Sequence, residues 1–177
     1  MLRFSISEAE YKRRVEHVRK ILMKRKLDAL YLTNSTSIFY MTAYSFISTE
    51  RPAALIIPLN GKIAFMGPLL EKDHVPLKTR IIEDVYTYVD YPGEKHPIEY
   101  FADFLKEMGL AKKRIGIDSK TGTAGMWGYK GPPITKKLHN AKFVEMADLV
   151  PSMRLIKSEE EIALIRESAK WANLATS

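Results

Sequence analysis

Histidine commonly serves as a general base or a metal ligand near neutral pH, so the four histidines are the first candidates for chemistry. They are His17, His74, His96 and His139. No two of them stand four residues apart, the spacing that presents two imidazoles to one metal ion on a helix. His17 is surrounded by charged residues and is expected to be solvated, whereas His96 precedes Pro97 and can cap a helix. The histidines therefore predict no metal site.

The carboxylates suggest a second kind of chemistry, two-metal nuclease catalysis, which needs several acidic side chains at one point. The candidates are Asp28, Asp84 and Asp118. Asp28 and Asp118 stand at the start and the end of predicted strands, where a functional carboxylate and a simple cap or turn are both plausible. The sequence contains no HExxH, GxSxG, GxGxxG or P-loop pattern. A small nuclease stays an alternative, but the residue types and their spacing identify no catalytic centre.

The composition is that of a globular protein. The chain has 177 residues, 46% hydrophobic and 28% charged, which suits one domain of ordinary size. It contains no cysteine, which excludes thiol nucleophiles and disulfides and fits a cytoplasmic protein. No apolar run approaches the roughly 20 residues of a membrane span, and residues 1–10 contain no apolar signal segment. The net charge of +7 permits nucleic acid, an anionic substrate or an acidic partner, and it selects none of them.

Capping and periodicity predict the first elements. Ser7 and Glu10 form a capping box. An apolar stripe at helical spacing follows it: Tyr11, Val15, Val18 and Leu22. The other side of this helix is expected to be a solvated basic face that includes Arg14. Residues 27–32 predict a buried strand, after which Asn34 or Ser35 is expected to cap a short helix.

Turn signals predict the rest of the sheet. The pair Asn60-Gly61 between two apolar runs, 53–58 and 62–66, is a strong hairpin signal, because both turn positions favour positive φ. Other elements are predicted as strands at 81–89, 114–119 and 142–145, and as helices at 68–75, 97–108 and 133–138. Strands that alternate with helices predict an α/β fold, and the hairpin makes its sheet mixed rather than wholly parallel.

The C-terminal segment differs from the rest. Ser158 and Glu161 form a second capping box. The apolar stripe behind it is half alanine: Ile162, Ile165, Ala169 and Ala172. A helix with so thin an apolar face is expected to have been cut from a larger unit.

Four segments together resemble the N-terminal domain of the creatinase, prolidase and aminopeptidase P family. They are LDALYLTNSTSIFYMTAY at 27–44, RPAALIIPLNGKIAFMGP at 51–68, RIGIDS at 114–119 and FVEMADLVPSMRLIKSEEEIALIRESA at 143–169. The last is the most specific, since in the family it leaves the N-terminal domain and enters the first helix of the catalytic domain. The resemblance is closest to Xaa-Pro dipeptidases (prolidases), with aminopeptidase P as the alternative.

The resemblance implies a fold and a division of the chain. The fold is a mixed sheet of about six strands flanked by helices, of ribonuclease H-like topology. Residues 1–150 would form the N-terminal domain, and 151–177 the linker and first helix of a metallopeptidase catalytic domain. That missing domain would hold two divalent metal ions, manganese or cobalt, so no metal ligand and no catalytic residue is assigned here. The expected partners are the chain's own C-terminal catalytic domain and a second subunit in a homodimer.

The resemblance also implies where this chain would touch substrate. In the creatine-hydrolysing relative, the region matching 44–51 supplies an aromatic and an arginine to the active site of the partner subunit. Arg51 and Phe46 are the corresponding candidates, with His96 and residues 34–38 as weaker ones. The substrate would be a proline-containing dipeptide. The alternative of another class is a basic nucleic-acid-binding α/β module; a membrane partner is not expected.

Overall fold

The computed structural model describes residues 5–47, 49–89, 94–123 and 128–176. Its helices are α1 (Glu8–Arg25), α2 (Ser35–Thr42), α3 (Glu71–Lys78), α4 (Pro97–Glu107), α5 (Ile134–Lys137), α6 (Leu149–Leu155) and α7 (Glu159–Thr176). Its strands are β1 (Ala29–Leu32), β2 (Ala54–Pro58), β3 (Ala64–Pro68), β4 (Asp84–Tyr88), β5 (Arg114–Ile117) and β6 (Lys142–Glu145). The predicted elements are thus present, with boundaries shifted by a few residues.

The strands form a mixed six-stranded sheet in the order β4-β3-β2-β1-β5-β6. β2 runs antiparallel to both β1 and β3, while β1 with β5, β5 with β6 and β3 with β4 pair in parallel. The α/β class and the mixed sheet predicted from the sequence are therefore confirmed. β1, β2 and β3 are buried along their whole length, as expected for strands in a sheet covered on both faces.

The hairpin forms where the Asn60-Gly61 pair predicts it. Gly61 has φ +105°, a backbone conformation that favours glycine. Pairing begins later than expected, because Ile56 lies opposite Ala64 and the loop between β2 and β3 is longer than two residues. The hairpin places the C-terminal end of β3 beside the start of β2, and the candidate site described below lies there.

Two hydrophobic clusters cover the two faces of the sheet. Leu30 and Leu32 of β1 point to the cluster packed by α1, α2, α3 and α6, which we call the α1 face. Ala29 and Tyr31 point to the cluster packed by α4 and α5, which we call the α4 face. This alternation is the two-residue period of a strand, and it decides on which face each neighbouring side chain lies.

The structure corrects the prediction for Arg14. The sequence placed this residue on a solvated basic face, but its side chain is only 3% exposed, while the adjacent Arg13 is 65% exposed. The prediction was wrong because Arg14, three residues after Tyr11 and four before Val18, lies on the apolar side of α1, where α2 and the start of α7 cover it.

Helix α6 was not predicted from the sequence. Pro151 lies in the first helical turn, where a backbone N–H has no partner within the helix, so proline is tolerated. α7 was predicted, and its capping box forms: Ser158 N donates to Glu161 (2.9 Å) and Glu161 N donates to the Ser158 hydroxyl (3.2 Å). No residue of α7 is buried, and Ile165, Trp171 and Leu174 are exposed.

None of the described helices combines the length and the apolar character that a membrane crossing requires. The division of the chain at residue 150 stays a prediction.

Candidate functional site

An open cavity of about 550 Å³ lies on the α1 face, between the loop that follows α2 and helix α3. The two main substrate-contact candidates, Arg51 and Phe46, line it. The other lining residues are Tyr44, Ser45, Ile47, Thr49, Ala53, Pro68, Leu70, Glu71, His74 and Lys78. We call this space the Arg51 cavity. Residues 46 and 51 were chosen by resemblance, and the structure brings them to one place.

Aromatic rings form the inner wall of the cavity. Tyr44, which is buried, and Phe46, which is half-buried, stack with their ring centroids 5.8 Å apart. Phe65 of β3 meets both rings edge-on, at 5.1 Å from Tyr44 and 5.7 Å from Phe46. Because edge-to-face contacts of this kind add to the energy of burial, Phe46 is held by the core and still presents part of its ring to the cavity.

Helix α3 supplies the polar wall. Glu71, His74 and Lys78 stand at spacings of three and four residues, so they share one side of the helix. The Glu71 side chain is only 14% exposed, accepts a hydrogen bond from the Tyr44 hydroxyl, and has an oxygen 3.4 Å from His74 Nδ1. Burial, reinforced by this hydrogen bond, raises the pKa of Tyr44, so the hydroxyl keeps its proton and stays a donor.

The charge of the described lining is biased toward cations. Arg51 and Lys78 are exposed side chains and Glu71 is the single carboxylate among the described lining residues. Glu71 is already engaged by Tyr44 and His74. The loop that carries Arg51 is braced by the Arg51 backbone N–H, which donates to the Thr49 hydroxyl at 3.3 Å. An aromatic wall beside a cationic rim suits a ligand with an apolar ring and an anionic group.

Replacing Tyr44 by phenylalanine is expected to lower the free energy of unfolding by about 1.5 kcal/mol, because Glu71 loses a donor while its partial exposure limits the cost. Urea unfolding of the two proteins measures the difference. Tyr86→Phe is the matched control, since Tyr86 is half-buried on the α4 face, packed 5.0 Å from Phe104. Equal stabilities of the Tyr44→Phe variant and the parent would contradict a structural contribution of this hydrogen bond.

His96, the third candidate, lies elsewhere. Its Nδ1 accepts a hydrogen bond from the Ile98 backbone N–H (3.2 Å), and its ring contacts Tyr129 edge-on at 5.9 Å. It caps α4, as the sequence suggested, and α4 packs on the α4 face. His96 is therefore not part of the described lining of the Arg51 cavity.

Residues 34–38, which were weaker candidates like His96, form the cap and the first turn of α2. Asn34 caps the helix, its side-chain oxygen accepting from Ser37 N at 3.0 Å. The Asn34 backbone N–H donates in turn to Asp118 at 2.8 Å, and Asp118 also accepts from Thr33 N (2.6 Å) and the Thr33 hydroxyl (3.0 Å). Asp118 thus anchors the loop after β1 to the end of β5.

The carboxylates considered for nuclease chemistry do not converge. Asp28 accepts from Arg114 N (2.9 Å) where β1 and β5 begin, whereas Asp118 lies where these parallel strands end. Asp84 begins β4, at the far edge of the sheet. Within the described ranges, no group of three or more His, Asp or Glu side chains could hold a metal ion. The described residues therefore do not fit the two ions that the resemblance assigns to a catalytic domain.

Sequence reasoning missed three residues of the cavity: Glu71, His74 and Lys78. The helix that carries them was predicted only as far as Val75, and His74 was considered only as one of four histidines that form no metal site. Their spacing of three and four residues predicts that they share one side of a helix. It does not predict which part of the protein that side faces.

Comparison with known proteins shows which family this sequence matches. Residues 14–156 match the model of the creatinase/prolidase N-terminal domain. An uncharacterised hydrolase/peptidase of Sinorhizobium fredii, y4tM, is 28% identical over 171 residues, covering 92% of this chain and 42% of the relative. Creatinase of a Bacillus species is 23% identical over 170 residues, covering 96% and 39%. The chain therefore spans about two fifths of the length of these curated relatives.

A solved structure has the same fold. The Xaa-Pro dipeptidase of Bacillus anthracis superposes with a TM-score of 0.69 at 19% identity, covering 94% of this chain and 42% of that one. The neighbour is thus a longer chain, and at this identity the likeness concerns the fold alone. The family model, in contrast, spans most of the sequence from α1 to the end of α6. The chain belongs to the creatinase/prolidase N-terminal domain family.

Proposed function

We propose that this chain is the non-catalytic N-terminal part of an Xaa-Pro dipeptidase. In this proposal a larger C-terminal part holds two manganese or cobalt ions and performs hydrolysis. The N-terminal part supports a homodimer and closes over the active site of the partner subunit in the cytoplasm. The observation that carries the proposal is the presence of Arg51 and Phe46 in one cavity of a chain that belongs to this family.

The chemistry of the substrate explains why these residue types suit the task. A dipeptide with proline in second position presents a free carboxylate close to the scissile bond and an apolar ring beside it. The planar guanidinium of Arg51 can hold a carboxylate through two parallel hydrogen bonds. The Phe46 ring can cover the proline ring and exclude water from the reacting bond. The cavity then acts as a lid that selects substrate, and the catalytic groups lie in the other subunit.

Substrate length distinguishes the proposal from its nearest alternative, an Xaa-Pro aminopeptidase (aminopeptidase P). In a longer peptide the proline carboxyl group is part of an amide and has no charge for Arg51 to bind. Hydrolysis restricted to dipeptides would support the dipeptidase, whereas equal rates on a tripeptide with the same first two residues would favour the aminopeptidase. Creatine is a necessary third substrate in the assay, because creatinase is among the relatives.

Arg51→Ala in the full-length protein is expected to raise KM for Xaa-Pro dipeptides roughly 10- to 100-fold, because a hydrogen-bonded charge pair contributes about 1.5–3 kcal/mol. The metal content is expected to be unchanged. Arg51→Lys should recover part of the loss, since lysine retains the charge without the bidentate geometry. Steady-state kinetics and metal analysis of the purified variants provide the measurement.

The control is Arg80→Ala, which removes an exposed arginine outside the described lining of the cavity. It is expected to leave KM and kcat at the parent values. If Arg51→Ala behaved like Arg80→Ala, Arg51 would have no part in substrate binding. A loss of metal from the Arg51 variant would show that the kinetic change came from a damaged catalytic domain.

A further inference from the structure

Arg14 is a buried cation at the junction of three helices. Its Nε donates to Glu10 on the same helix (3.0 Å), and its Nη1 donates to the Tyr40 carbonyl at the end of α2 (2.6 Å). Its Nη2 lies 3.4 Å from a carboxylate oxygen of Glu161, in the first turn of α7. One guanidinium therefore connects α1, α2 and α7.

Two aromatic rings enclose this guanidinium. Its central carbon lies 3.9 Å from the ring centroid of Tyr40 and 5.1 Å from that of Tyr11. A planar guanidinium stacks on aromatic faces and still directs several N–H groups outward, which the compact ammonium of lysine cannot do. The surroundings of residue 14 thus suit arginine in particular.

Ser7 makes a second link to the same turn of α7. Its backbone N–H and its hydroxyl both donate to the Glu160 carboxylate, each at 2.6 Å, although the two residues are 153 positions apart in the chain. The Ser7 hydroxyl also caps α1 by accepting from Glu10 N at 3.1 Å. The Glu160 carboxylate therefore lies at the N-terminus of α1, where the helix dipole favours a negative charge.

The carboxylate held by Arg14 also belongs to the cap of α7. The Glu161 oxygen that Arg14 approaches is the one that accepts from Ser158 N at 2.9 Å. The Glu161 carboxylate thus caps α7 and also pairs with Arg14 of α1. We call Ser7, Arg14, Glu160 and Glu161 the α7 clamp.

The first turn of α7 is more enclosed than most of the helix. No residue of α7 is buried, Ile162 and Leu164 are half-buried, and Ile165, Trp171 and Leu174 are exposed. Apolar packing between α7 and the sheet domain is therefore thin. The two carboxylates of the first turn add hydrogen bonds and an ion pair that hold the start of the helix.

We infer that Arg14 is a positioning residue that fixes the direction in which α7 leaves the sheet domain. The inference extends the proposed function, since a catalytic part following α7 would then be oriented by the clamp, and with it the approach of the Arg51 cavity to the partner subunit. The role inferred for Arg14 involves no contact with substrate.

The absence of cysteine from the chain allows a direct test by pulsed electron paramagnetic resonance. Spin labels are attached at Lys20→Cys on α1 and Ala172→Cys on α7, both at exposed positions. The parent chain is expected to give one narrow distance distribution. Arg14→Met retains the apolar part of the side chain without the charge. This variant is expected to give a broad distance distribution.

Arg13→Met is the matched control, because Arg13 binds the same Glu10 carboxylate (2.7 and 2.8 Å) from the exposed side of α1. It should retain the narrow distribution. Arg14→Lys is expected to rescue only part of it. Glu161→Gln removes the negative charge that pairs with Arg14, while the amide oxygen can still cap the helix, so it tests the ion pair even if Arg14→Met fails to fold.

A narrow distance distribution in a folded Arg14→Met or Glu161→Gln variant would overturn the inference. The measurement needs neither substrate nor metal, so it stands apart from the test of Arg51. In the full-length protein, Arg14→Met is expected to raise KM with metal content unchanged, and Arg13→Met to leave it at the parent value. If Arg14→Met broadened the distance distribution while Arg51→Ala had the kinetics of the parent protein, the inference about the α7 clamp would stand and the proposed function would be contradicted.

Discussion

Replacing Asp118 by alanine is expected to lower the free energy of unfolding by about 3 kcal/mol, because several donors lose one acceptor at once. Asp118 accepts from the backbone N–H groups of Thr33 and Asn34 and from the Thr33 hydroxyl, at 2.6 to 3.0 Å. These groups lie where β1 leads into α2, and Thr33 is buried. Without the carboxylate, the start of α2 loses its attachment to β5. Urea unfolding followed by circular dichroism gives the measurement.

Asp118→Asn is the matched control, with an expected loss of about 1 kcal/mol, because the amide oxygen can still accept from the backbone N–H groups. It also removes a titrating group. Burial raises the pKa of Asp118, although the hydrogen bonds from Asn34 and Thr33 oppose this. Since the native state holds this proton more tightly than the unfolded chain, the contribution of Asp118 to stability is greatest below its ordinary pKa and falls as pH rises through the native value.

The stability difference between the parent and the Asp118→Asn variant is therefore expected to shrink or change sign as pH rises from about 4. Carboxylates such as Glu10 and Asp103, whose pKa values are lowered by hydrogen bonds from Arg13 and Lys95, act in the opposite direction. They are common to both proteins and cancel in the difference. A difference independent of pH, or an alanine variant as stable as the parent, would show that Asp118 does not anchor this loop.

Phe65→Ala is expected to lower the free energy of unfolding by about 4 kcal/mol, as for other buried phenylalanines that leave a cavity behind. It should also affect the Arg51 cavity, because Phe65 is the ring against which Tyr44 and Phe46 pack. Once that support is lost, Phe46 can adopt several positions, and KM for dipeptides is expected to rise in the full-length protein. Kinetics at a temperature where the variant stays folded provide the measurement.

Phe101→Ala is the control that separates the loss of stability from the rise in KM. Phe101 is equally buried, but it packs on the α4 face against Tyr88, away from the cavity. A similar loss of stability is expected, with KM unchanged. If both substitutions raised KM by the same factor, general destabilisation would account for the result and the aromatic wall would not be specific to substrate binding.

Several elements could be predicted because their causes are local. The Ser7 and Ser158 caps, the helical stripe from Tyr11 to Leu22 and the glycine at position 61 act through contacts within a few residues. Hydrogen bonds to the nearest backbone groups and the period of an element are readable in any short stretch of chain. The mixed α/β sheet follows from such signals, and Arg51 and Phe46 were reached only through resemblance to a family.

The sequence by itself therefore determined the element types, most of their caps and the class of the sheet. The tertiary structure alone decided that Arg14 is buried, that Glu71 and His74 share a cavity with Arg51, and that His96 lies on the opposite face. The physical reason is that burial and pairing depend on which distant segments meet. Arg13 and Arg14 are adjacent cations of one helix, and the arrival of α2 and α7 at the apolar side, on which Arg14 lies, makes Arg14 a buried connector and leaves Arg13 a surface charge.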